Sequence, residues 1–283
     1  MPELPEVETI RRVLAEKITG HRIVSVSVHH PKPLGKQSVA ELKAGLIHQK
    51  IQGVERRAKF LLVRLETGAL LVHLGMTGQL FARTRGQKNP PGLPTLPDKH
   101  THLVLELDRQ AIVFFRDIRR FGRFRWLAPE RVAPYLAHLG PEPLLPEFTV
   151  EGFRKALVGR TASIKALLLN QKIVAGLGNI YVDEALFRAG IAPQTKGGKL
   201  TTKQNLRLHG AIREVLREAI RFRGTTLSDY FDPESRRGGF QDRLKVYGRE
   251  GEPCVTCGTP ISKGVLAQRG THWCGKCQPV VRK

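Results

Sequence analysis

A proline followed by a glutamate stands near the start of the chain, as Pro2 and Glu3 behind Met1. Because the side chain of Pro2 is small, we expect Met1 to be removed, which would leave a secondary amine at the chain start. An α-amino group titrates near neutrality rather than at about 10, as lysine does, so this amine would be nucleophilic at physiological pH. Its attack on a sugar aldehyde carbon would form an electron-withdrawing iminium ion, with Glu3 placed to supply a proton.

The same residues also suit the start of a helix, and the sequence alone leaves this alternative open. Proline is favoured in a first helical turn, and the acidic Glu3, Glu6 and Glu8 suit its positive end. No basic and apolar leader comes before these acids, which argues against a secretory signal. Gly20 is a plausible stop for a helix whose apolar residues follow helical spacing: Val7, Ile10, Leu14 and Ile18.

The composition indicates a polyanionic partner. The chain has 47 Lys and Arg against 25 Asp and Glu in 283 residues, a formal net charge of +22, as expected of proteins that neutralise phosphates. Nucleic acid is the leading candidate. A membrane-surface binder and a generally cationic soluble protein stay open as alternatives, because charge alone does not name the polyanion. The sequence contains no run of about eighteen apolar residues, so it predicts no membrane-spanning helix. Its length allows two domains with separate cores.

All four cysteines lie in the last 30 residues, in two pairs that have zinc-ribbon spacing. Cys254-x2-Cys257 and Cys274-x2-Cys277 are separated by 16 residues, and two such turns complete a tetrahedral shell with no open position for catalysis. The spacing therefore predicts one structural zinc ion. Disulfides are the alternative, but they need an oxidising compartment to which no signal directs the chain.

The first half of the chain has the pattern of antiparallel β-structure. Short β-branched or alternating runs separated by turn residues predict a sandwich or barrel, with strands at residues 21–28, 60–66, 69–74, 102–107 and 111–116. A long loop rich in proline and glycine spans residues 83–100. Five prolines within residues 129–146 then predict a linker between domains.

Helical patterning dominates the second half, at residues 153–158, 163–169, 183–189 and 202–222. Ahead of the third of these helices, Gly176, Gly178 and Asn179 form a turn whose donors suit an anion such as a DNA phosphate. An ordinary corner between two helices explains the glycines equally well.

Two predicted strand tips carry side chains that suit insertion into DNA. In the turn at residues 116–123, Phe121 is flanked by arginines, so its ring could stack between bases while guanidinium groups bind phosphates or an orphaned base. A second tip, at residues 74–78, carries Met76. A solvated basic turn and a core methionine are the simpler alternatives.

These segments together resemble the bacterial formamidopyrimidine-DNA glycosylases of the Fpg/Nei family over the whole chain. Six separated motifs match in the right order, which makes the resemblance specific: residues 2–9, 57–60, 73–76, 119–122, 178–181 and the zinc ribbon. The resemblance implies an α+β fold, with an N-terminal antiparallel β-sandwich and N-terminal helix. A C-terminal helical helix-two-turn-helix domain with a zinc-ribbon finger would follow.

The resemblance implies a bifunctional DNA glycosylase and AP lyase of base excision repair, which removes 8-oxoguanine and formamidopyrimidines from duplex DNA. Pro2 would be the Schiff-base nucleophile and Glu3 the proton donor, while Glu6 would support them by hydrogen bonding. The strand would then break by β- and δ-elimination. Lys59 would donate the proton for the first elimination and Arg269 for the second, and both would contact phosphates.

A set of DNA contacts is also implied. Amide and cationic side chains would bind phosphates around the everted nucleotide. Other side chains would fill the void that it leaves in the stack, and Arg119 would read an opposite cytosine. The zinc would hold the loop that carries Arg269. Besides Lys59 and Arg269, the implied DNA-binding residues are His73, Met76, Arg119, Arg120, Phe121 and Asn179.

The implied domains are a β-sandwich catalytic domain (1–132), a linker (133–147), a helical DNA-binding domain (148–249) with a lesion loop (225–243), and a zinc finger (250–283). The partner would be duplex DNA with oxidised bases or abasic sites. We expect a monomer in the bacterial cytoplasm, associated with the nucleoid through DNA and not with a membrane. Ile118 stands where relatives often have proline, which leaves the stiffness of that tip open.

Two other functions remain as alternatives. An endonuclease VIII-like glycosylase would share the chemistry of Pro2 but prefer oxidised pyrimidines. A non-catalytic zinc-ribbon protein would bind damaged DNA without cutting it, and it would have no use for Pro2 beside Glu3. The Leu4-Pro5-Glu6 start and the void-filling residues favour the purine enzyme.

Overall fold

The structure is a computed structural model that describes residues 2–87, 95–226 and 231–280. Met1 and parts of the predicted loops at 83–100 and 225–243 lie outside the described residues. The chain divides into two compact units. The N-terminal unit comprises Met1–His138 and Phe222–Gly239, and the C-terminal unit comprises Leu139–Arg221 and Phe240–Lys283.

The N-terminal unit contains eight strands within the described residues: β1 (Ile23–Val28), β2 (Ile51–Arg57), β3 (Phe60–Leu65), β4 (Ala69–His73), β5 (Gly78–Thr84), β6 (Thr101–Leu107), β7 (Ala111–Asp117) and β8 (Arg123–Leu127). They form two antiparallel sheets with the orders β1-β6-β7-β5 and β2-β3-β4-β8. Buried side chains of both sheets, such as Val63 and Phe115, belong to one apolar cluster. The unit is therefore a β-sandwich.

Three α-helices accompany the sandwich in the described part of this unit: α1 (Leu4–Ile18), α2 (Val39–Leu46) and α3 (Pro129–Leu136). The predicted apolar face of α1 is buried in the core, with its residues at most 2% exposed: Val7, Ile10, Leu14 and Ile18. At the start of α1, the Glu6 side chain accepts the backbone N–H of Glu3 at 2.7 Å. This hydrogen bond caps the helix where the acidic residues predicted its beginning.

The C-terminal unit has four α-helices and one β-hairpin within the described residues: α4 (Val150–Leu157), α5 (Ile164–Leu169), α6 (Asn179–Ala189), α7 (Thr202–Arg221), β9 (Ile261–Leu266) and β10 (Arg269–Cys274). The hydroxyls of Thr149 and Ser163 cap α4 and α5 by accepting N–H groups of the first turn. Since α6 packs against both α7 and β10, it connects the helices to the hairpin.

The structure contains every predicted strand and helix, with shifted ends, and it adds elements that the pattern did not reveal. These are two helices, α2 and α3, and five strands, β2, β5, β8, β9 and β10. Strand β2 has the sequence IQGVERR and β8 has RFRWL, so charged residues obscure the apolar alternation. Pairing with neighbouring strands, rather than local pattern, makes such segments β-structure.

Residues 222–239 belong to the N-terminal unit, whereas the sequence predicted them inside the helical domain 148–249. The reason is a set of polar contacts: Lys17 pairs with Glu234 at 3.1 Å, and Arg83 donates to Ser235 at 3.0 Å. Helix α3 also occupies the start of the predicted linker, because proline is tolerated in the first turn of a helix. Among the described residues, no helix has the length and apolar character needed to cross a bilayer.

Candidate functional site

The start of α1 is buried and carries the residues predicted to react. Pro2 is buried, and Glu3 exposes only 2% of its surface. The carboxylate of Glu6 accepts two backbone N–H groups, from Glu3 and from Thr225, each at 2.7 Å. Hydrogen bonds to an ionised acceptor are the strong ones, so Glu6 fixes the backbone that presents Pro2 and Glu3.

The segment opposite Glu6 is shaped for this contact. Gly224 has a φ of +81°, and a Cβ atom added to it would lie 2.5 Å from Glu6 Oε1. Only glycine permits both this conformation and this close approach. Glu6 and Thr225 are 219 positions apart in the chain, so no sequence pattern pairs them, and sequence analysis missed the role of residues 224 and 225.

Lys59 lies in the turn between β2 and β3 and is only 8% exposed. Arg56 holds this hairpin on α1, because its Nε donates to Glu8 at 3.1 Å. Glu8 also accepts hydrogen bonds from Arg11 and Arg12. Burial raises the pKa of Glu8, but the hydrogen bonds and charges of these arginines bring that pKa below its ordinary value. An ionised Glu8 therefore ties the hairpin that carries Lys59 to α1.

His73, at the end of β4, is a neutral side chain at physiological pH. Burial lowers its pKa to about 4, and the charges of Lys59 and Arg123 act in the same direction. Its Nδ1 accepts the backbone N–H of Gly75 at 3.1 Å, and its ring packs against Phe60. The acceptor role of Nδ1 places the proton on Nε2, so His73 can donate one hydrogen bond there.

Asp117 organises the tip between β7 and β8. It is fully buried, and its Oδ1 accepts the Thr77 hydroxyl at 2.5 Å and the backbone N–H of Arg119 at 3.2 Å. Its Oδ2 accepts the backbone N–H of Gly122 at 2.7 Å. The carboxylate thus holds the turn from both sides, and this turn is stabilised although it has Ile118 in place of proline.

The tips predicted at residues 74–78 and 116–123 lie against each other. Gly75 has a φ of +61°, and an added Cβ would lie 2.6 Å from the carbonyl carbon of Phe121 and from the nitrogen of Gly122. The backbone N–H of Arg119 also donates to the Thr77 hydroxyl at 3.1 Å. The structure therefore brings the tip that carries Met76 next to the arginine-rich tip.

The exposed surface of the arginine-rich tip is both apolar and cationic. Phe121 is 49% exposed and Ile118 is 43% exposed. The Arg119 guanidinium lies 4.9 Å from the centre of the Phe121 ring, which is a cation–π distance. Arg120 is also exposed, with a φ of +58°. This tip therefore presents two large apolar side chains and two arginines to solvent.

In the C-terminal unit, Asn179 and Arg269 lie close together. Asn179 is the first residue of α6, and its Nδ2 donates to the carbonyl oxygen of Gly270 at 2.9 Å. Gly270 follows Arg269, which is exposed at the start of β10. The glycine turn ahead of α6 is held by Gln171, whose Oε1 accepts the N–H of Gly176 at 2.8 Å. Sequence analysis identified the turn but not Gln171.

A buried ion pair supports this group, and sequence analysis missed it. Lys165 and Asp183 are fully buried, with Nζ and Oδ1 separated by 2.7 Å. Lys165 also donates to the Gly270 carbonyl at 3.0 Å, and Asp183 Oδ2 accepts the backbone N–H of His272 at 2.9 Å. The pair thus joins α5 and α6 to the strand that follows Arg269. Its signal was the charged pair Asp183-Glu184 within an otherwise apolar helix.

The four cysteines form a metal site in the same unit. Their Sγ atoms all lie within 4.8 Å of one another, with 3.8 Å between Cys254 and Cys277 and 3.5 Å between Cys257 and Cys274. A tetrahedral zinc ion with bonds of about 2.3 Å would place its sulfur ligands about 3.8 Å apart. None of the four forms a disulfide. The donor set and its dimensions fit zinc, and the closed shell makes the site structural.

Comparison with known proteins follows the same division of the chain. Three family models match: the formamidopyrimidine-DNA glycosylase N-terminal domain at residues 1–124, the formamidopyrimidine-DNA glycosylase H2TH domain at 139–230, and a zinc finger found in FPG and IleRS at 251–280. The formamidopyrimidine-DNA glycosylase of Symbiobacterium thermophilum is 48% identical over 99% of this chain and 90% of its own length. The chain belongs to the formamidopyrimidine-DNA glycosylase family.

Other members of this family match this chain over nearly its full length. The formamidopyrimidine-DNA glycosylase of Pelotomaculum thermopropionicum is 44% identical over 99% of this chain and all of its own length. A mutant of the Lactococcus lactis Fpg, in complex with DNA containing Fapy-dG, superposes with a TM-score of 0.90 at 37% identity, covering 99% of this chain and 100% of that one. The Lactococcus lactis Fpg with abasic-site DNA gives 0.89 at 37% identity, covering 98% and 100%.

Three predictions made from the sequence are thereby confirmed: the family resemblance, the fold class and the zinc site. The resemblance is confirmed by the family models and by relatives that match the whole chain. The α+β fold class is confirmed by the sandwich, the helical unit and the solved structures. The structural zinc site is confirmed by the zinc-finger match and by the cysteine cluster.

Proposed function

We propose that the chain is a DNA glycosylase with AP lyase activity, which removes oxidised purines from duplex DNA in base excision repair. The observation that carries the proposal is the buried start of α1, where the Glu6 carboxylate holds the backbone of the residues beside Pro2. The named relatives and the Lactococcus lactis complexes with Fapy-dG and abasic-site DNA support it. The partner is duplex DNA, in keeping with the formal net charge of +22.

Pro2 acts as the nucleophile once Met1 is removed. Its nitrogen attacks C1′ of the deoxyribose, the C1′–N bond to the damaged base breaks, and the base leaves with the bonding electrons and takes up a proton. The amine loses its own proton, Glu3 donates one to the ring oxygen O4′, and the C1′–O4′ bond opens. The product is an iminium ion, C1′=N⁺, which joins the protein to the DNA.

The iminium ion then drives strand cleavage. It acidifies the C2′ hydrogen, and loss of that proton breaks the bond from C3′ to its phosphate oxygen. A second elimination breaks the bond from C5′ to its phosphate oxygen. We assign Lys59 as the proton donor for the first step and Arg269 for the second, each in contact with a phosphate. The buried, anchored hairpin of Lys59 supports this role by fixing the ammonium group.

The DNA contacts are assigned to both units. Met76, Arg119 and Phe121 fill the void left by the everted nucleotide, supported by the abutting tips and the exposed Phe121 ring. Asn179 and Arg269 bind phosphates, supported by the hydrogen bond from Asn179 to the carbonyl of Gly270, the residue that follows Arg269. Further contacts are assigned to His73, as a neutral donor through Nε2, and to Arg120.

We also assign roles to the predicted domains. Residues 1–132 form the catalytic sandwich, 148–249 bind DNA, and 250–283 form the finger that positions Arg269. We propose that the protein acts as a monomer in the cytoplasm and associates with the nucleoid through DNA.

Trapping with borohydride tests the covalent mechanism. The protein is incubated with duplex DNA that contains 8-oxoguanine opposite cytosine, and reduction of the iminium should yield one covalent protein–DNA adduct. P2G should lose base excision or be strongly slowed, with a matching loss of adduct, while still binding DNA. E16Q, which changes an exposed acid on the same helix, should react as the unchanged protein does. Intact-mass measurement establishes that Met1 is absent from the sample. Failure to trap with Pro2 at the chain start would refute the mechanism.

The substrate assignment is tested by rates on two duplexes. Base release should be faster from the duplex with an oxidised purine than from a matched duplex with an oxidised pyrimidine. The reverse order would favour the endonuclease VIII-like alternative. Binding of both duplexes without base release would favour a non-catalytic protein.

A further inference from the structure

Two adjoining cavities, of about 200 and 150 Å³, lie in the N-terminal unit beside the C-terminal end of α1. They share Lys17, Ala82, Arg83 and Gln87, and the larger one is also lined by residues 233–236. At about 1.5 Å of rise per residue, Lys17 lies roughly 20 Å along the helix from Leu4. Neither cavity is lined by a residue to which we assign an individual catalytic or DNA-contact role.

Arg83 is the central residue of both cavities. Its Nη2 donates to the Ser235 hydroxyl at 3.0 Å, but its Nε is buried without a hydrogen-bond partner among the described residues. Within the described ranges no carboxylate lies within 4 Å of its guanidinium, and burial lowers the pKa of Arg83. A buried donor without an acceptor destabilises the folded state, so Arg83 Nε favours an acceptor that the described residues do not supply, such as a bound anion.

The charge around the cavities is positive. Four cationic side chains and one carboxylate line them: Lys17, Arg83, Arg109, Arg236 and Glu234. Glu234 is occupied by Lys17 at 3.1 Å and by Arg236 at 3.3 Å. His21 at the edge is hydrogen-bonded to Asp108 at 2.8 Å. Arg83 and Arg109 therefore have no carboxylate within 4 Å among the described residues, and the planar guanidinium of Arg83 suits two oxygens of one anion.

We propose that Arg83 is the centre of an oxyanion site that binds a phosphate group. Either cavity exceeds the roughly 30 Å³ share of a water molecule several-fold, and together they admit a tetrahedral anion beside the buried Nε. The amide of Gln87 and the ammonium of Lys17 supply further donors. Because Ser235 and Glu234 contact Arg83 and Lys17, the bound anion also fastens residues 231–239 to the sandwich. This role goes beyond the proposed catalysis and does not depend on it.

Titration calorimetry with inorganic phosphate, at constant ionic strength, tests the site on the full chain. We expect saturable binding and slower hydrogen exchange in residues 231–239, with binding roughly tenfold weaker in R83Q, the effect of losing one charge-assisted contact. R85Q is the matched control, because Arg85 lies two residues away, is 61% exposed, pairs with Glu106 at 2.8 Å and lines neither cavity. R83K retains the positive charge but lacks the planar guanidinium, so its phosphate affinity should lie between those of R83Q and the unchanged protein. It serves as the test variant if R83Q folds poorly.

The source of the phosphate is distinguished by salt titrations of binding to undamaged duplex DNA. If the occupant is a DNA phosphate, the slope of log K against log salt should fall by about one in R83Q relative to R85Q. If it is a free phosphate, that slope should be the same in both while R83Q still loses phosphate binding. Phosphate affinity and exchange rates that are equal in R83Q, R85Q and the unchanged protein would overturn the proposal.

Discussion

Replacing Asp117 by asparagine tests whether the two abutting tips are held by one carboxylate. The side chain keeps its shape and loses its charge. An asparagine Oδ1 can still accept from Thr77 and from the backbone of Arg119, but its NH2 group then faces the N–H of Gly122, which the carboxylate meets at 2.7 Å. Two donors oppose each other in a place where Asp117 is fully buried.

The expected loss of stability follows from that geometry. A hydrogen bond to a charged group contributes about 1.5–3 kcal/mol, and a buried donor left without an acceptor costs a similar amount. We expect D117N to lower the free energy of unfolding by about 2–3 kcal/mol. At roughly 2–4 °C per kcal/mol for a domain of this size, the melting temperature falls by about 5–10 °C. T77V removes both hydrogen bonds of the hydroxyl, to Asp117 and from the backbone of Arg119, and should cost about 1–2 kcal/mol.

Binding measurements separate the local effect from general destabilisation. At a temperature where D117N is fully folded, its affinity for a duplex with a damaged base should fall by about tenfold, which is about 1.4 kcal/mol. Its affinity for undamaged duplex should be unchanged, because phosphate contacts do not require insertion of the tip. D242N is the control, since it makes the same chemical change at an exposed acid. An unchanged melting temperature together with an unchanged affinity ratio would refute the reasoning.

Three further predictions concern other buried groups. In E6Q the NH2 group of the new amide faces one of the two backbone N–H groups, of Glu3 and Thr225, that Glu6 accepts. We therefore expect the free energy of unfolding to fall by about 2 kcal/mol and hydrogen exchange at Thr225 to become faster. D183N removes the charge that balances buried Lys165, which should cost roughly 3–5 kcal/mol in urea denaturation, with part recovered in K165M/D183L. His73 has a pKa of about 4 in the folded state against an ordinary 6.5, so the unfolded chain binds more protons between these values. Its contribution to stability is complete above about pH 6.5 and is lost as pH falls towards 4, and urea midpoints of H73Q should lack this part of the pH dependence.

Each of these predictions has an outcome that contradicts it. For Glu6, equal exchange at Thr225 in E6Q and in the control E16Q would show that the carboxylate does not hold that segment. For the ion pair, a D183N midpoint equal to that of D242N would mean that Lys165 finds another partner. For His73, a ring that titrates near its ordinary pKa by NMR would remove the physical basis of the pH dependence.

The short-range features were accessible from the sequence because they depend on neighbours in the chain. The apolar spacing of α1 is set by the helical repeat, and its predicted residues are buried. The cysteine spacing determines the zinc ligands, since each pair lies in one tight turn. The tips at residues 74–78 and 116–123 were found because turn residues interrupt alternating strands. By contrast, β2 and β8 were missed because charged residues break their alternation.

The sequence by itself determined the family, the zinc ligands and the set of residues that could react with a sugar in DNA. Only the tertiary structure decided how those residues are held. Glu6 meets Thr225 across 219 positions, Lys165 reaches Gly270 across 105, and Asp117 reaches Thr77 across 40. Contacts at such separations leave no periodic trace in the chain, because they depend on how buried polar groups find partners after the apolar cores have formed.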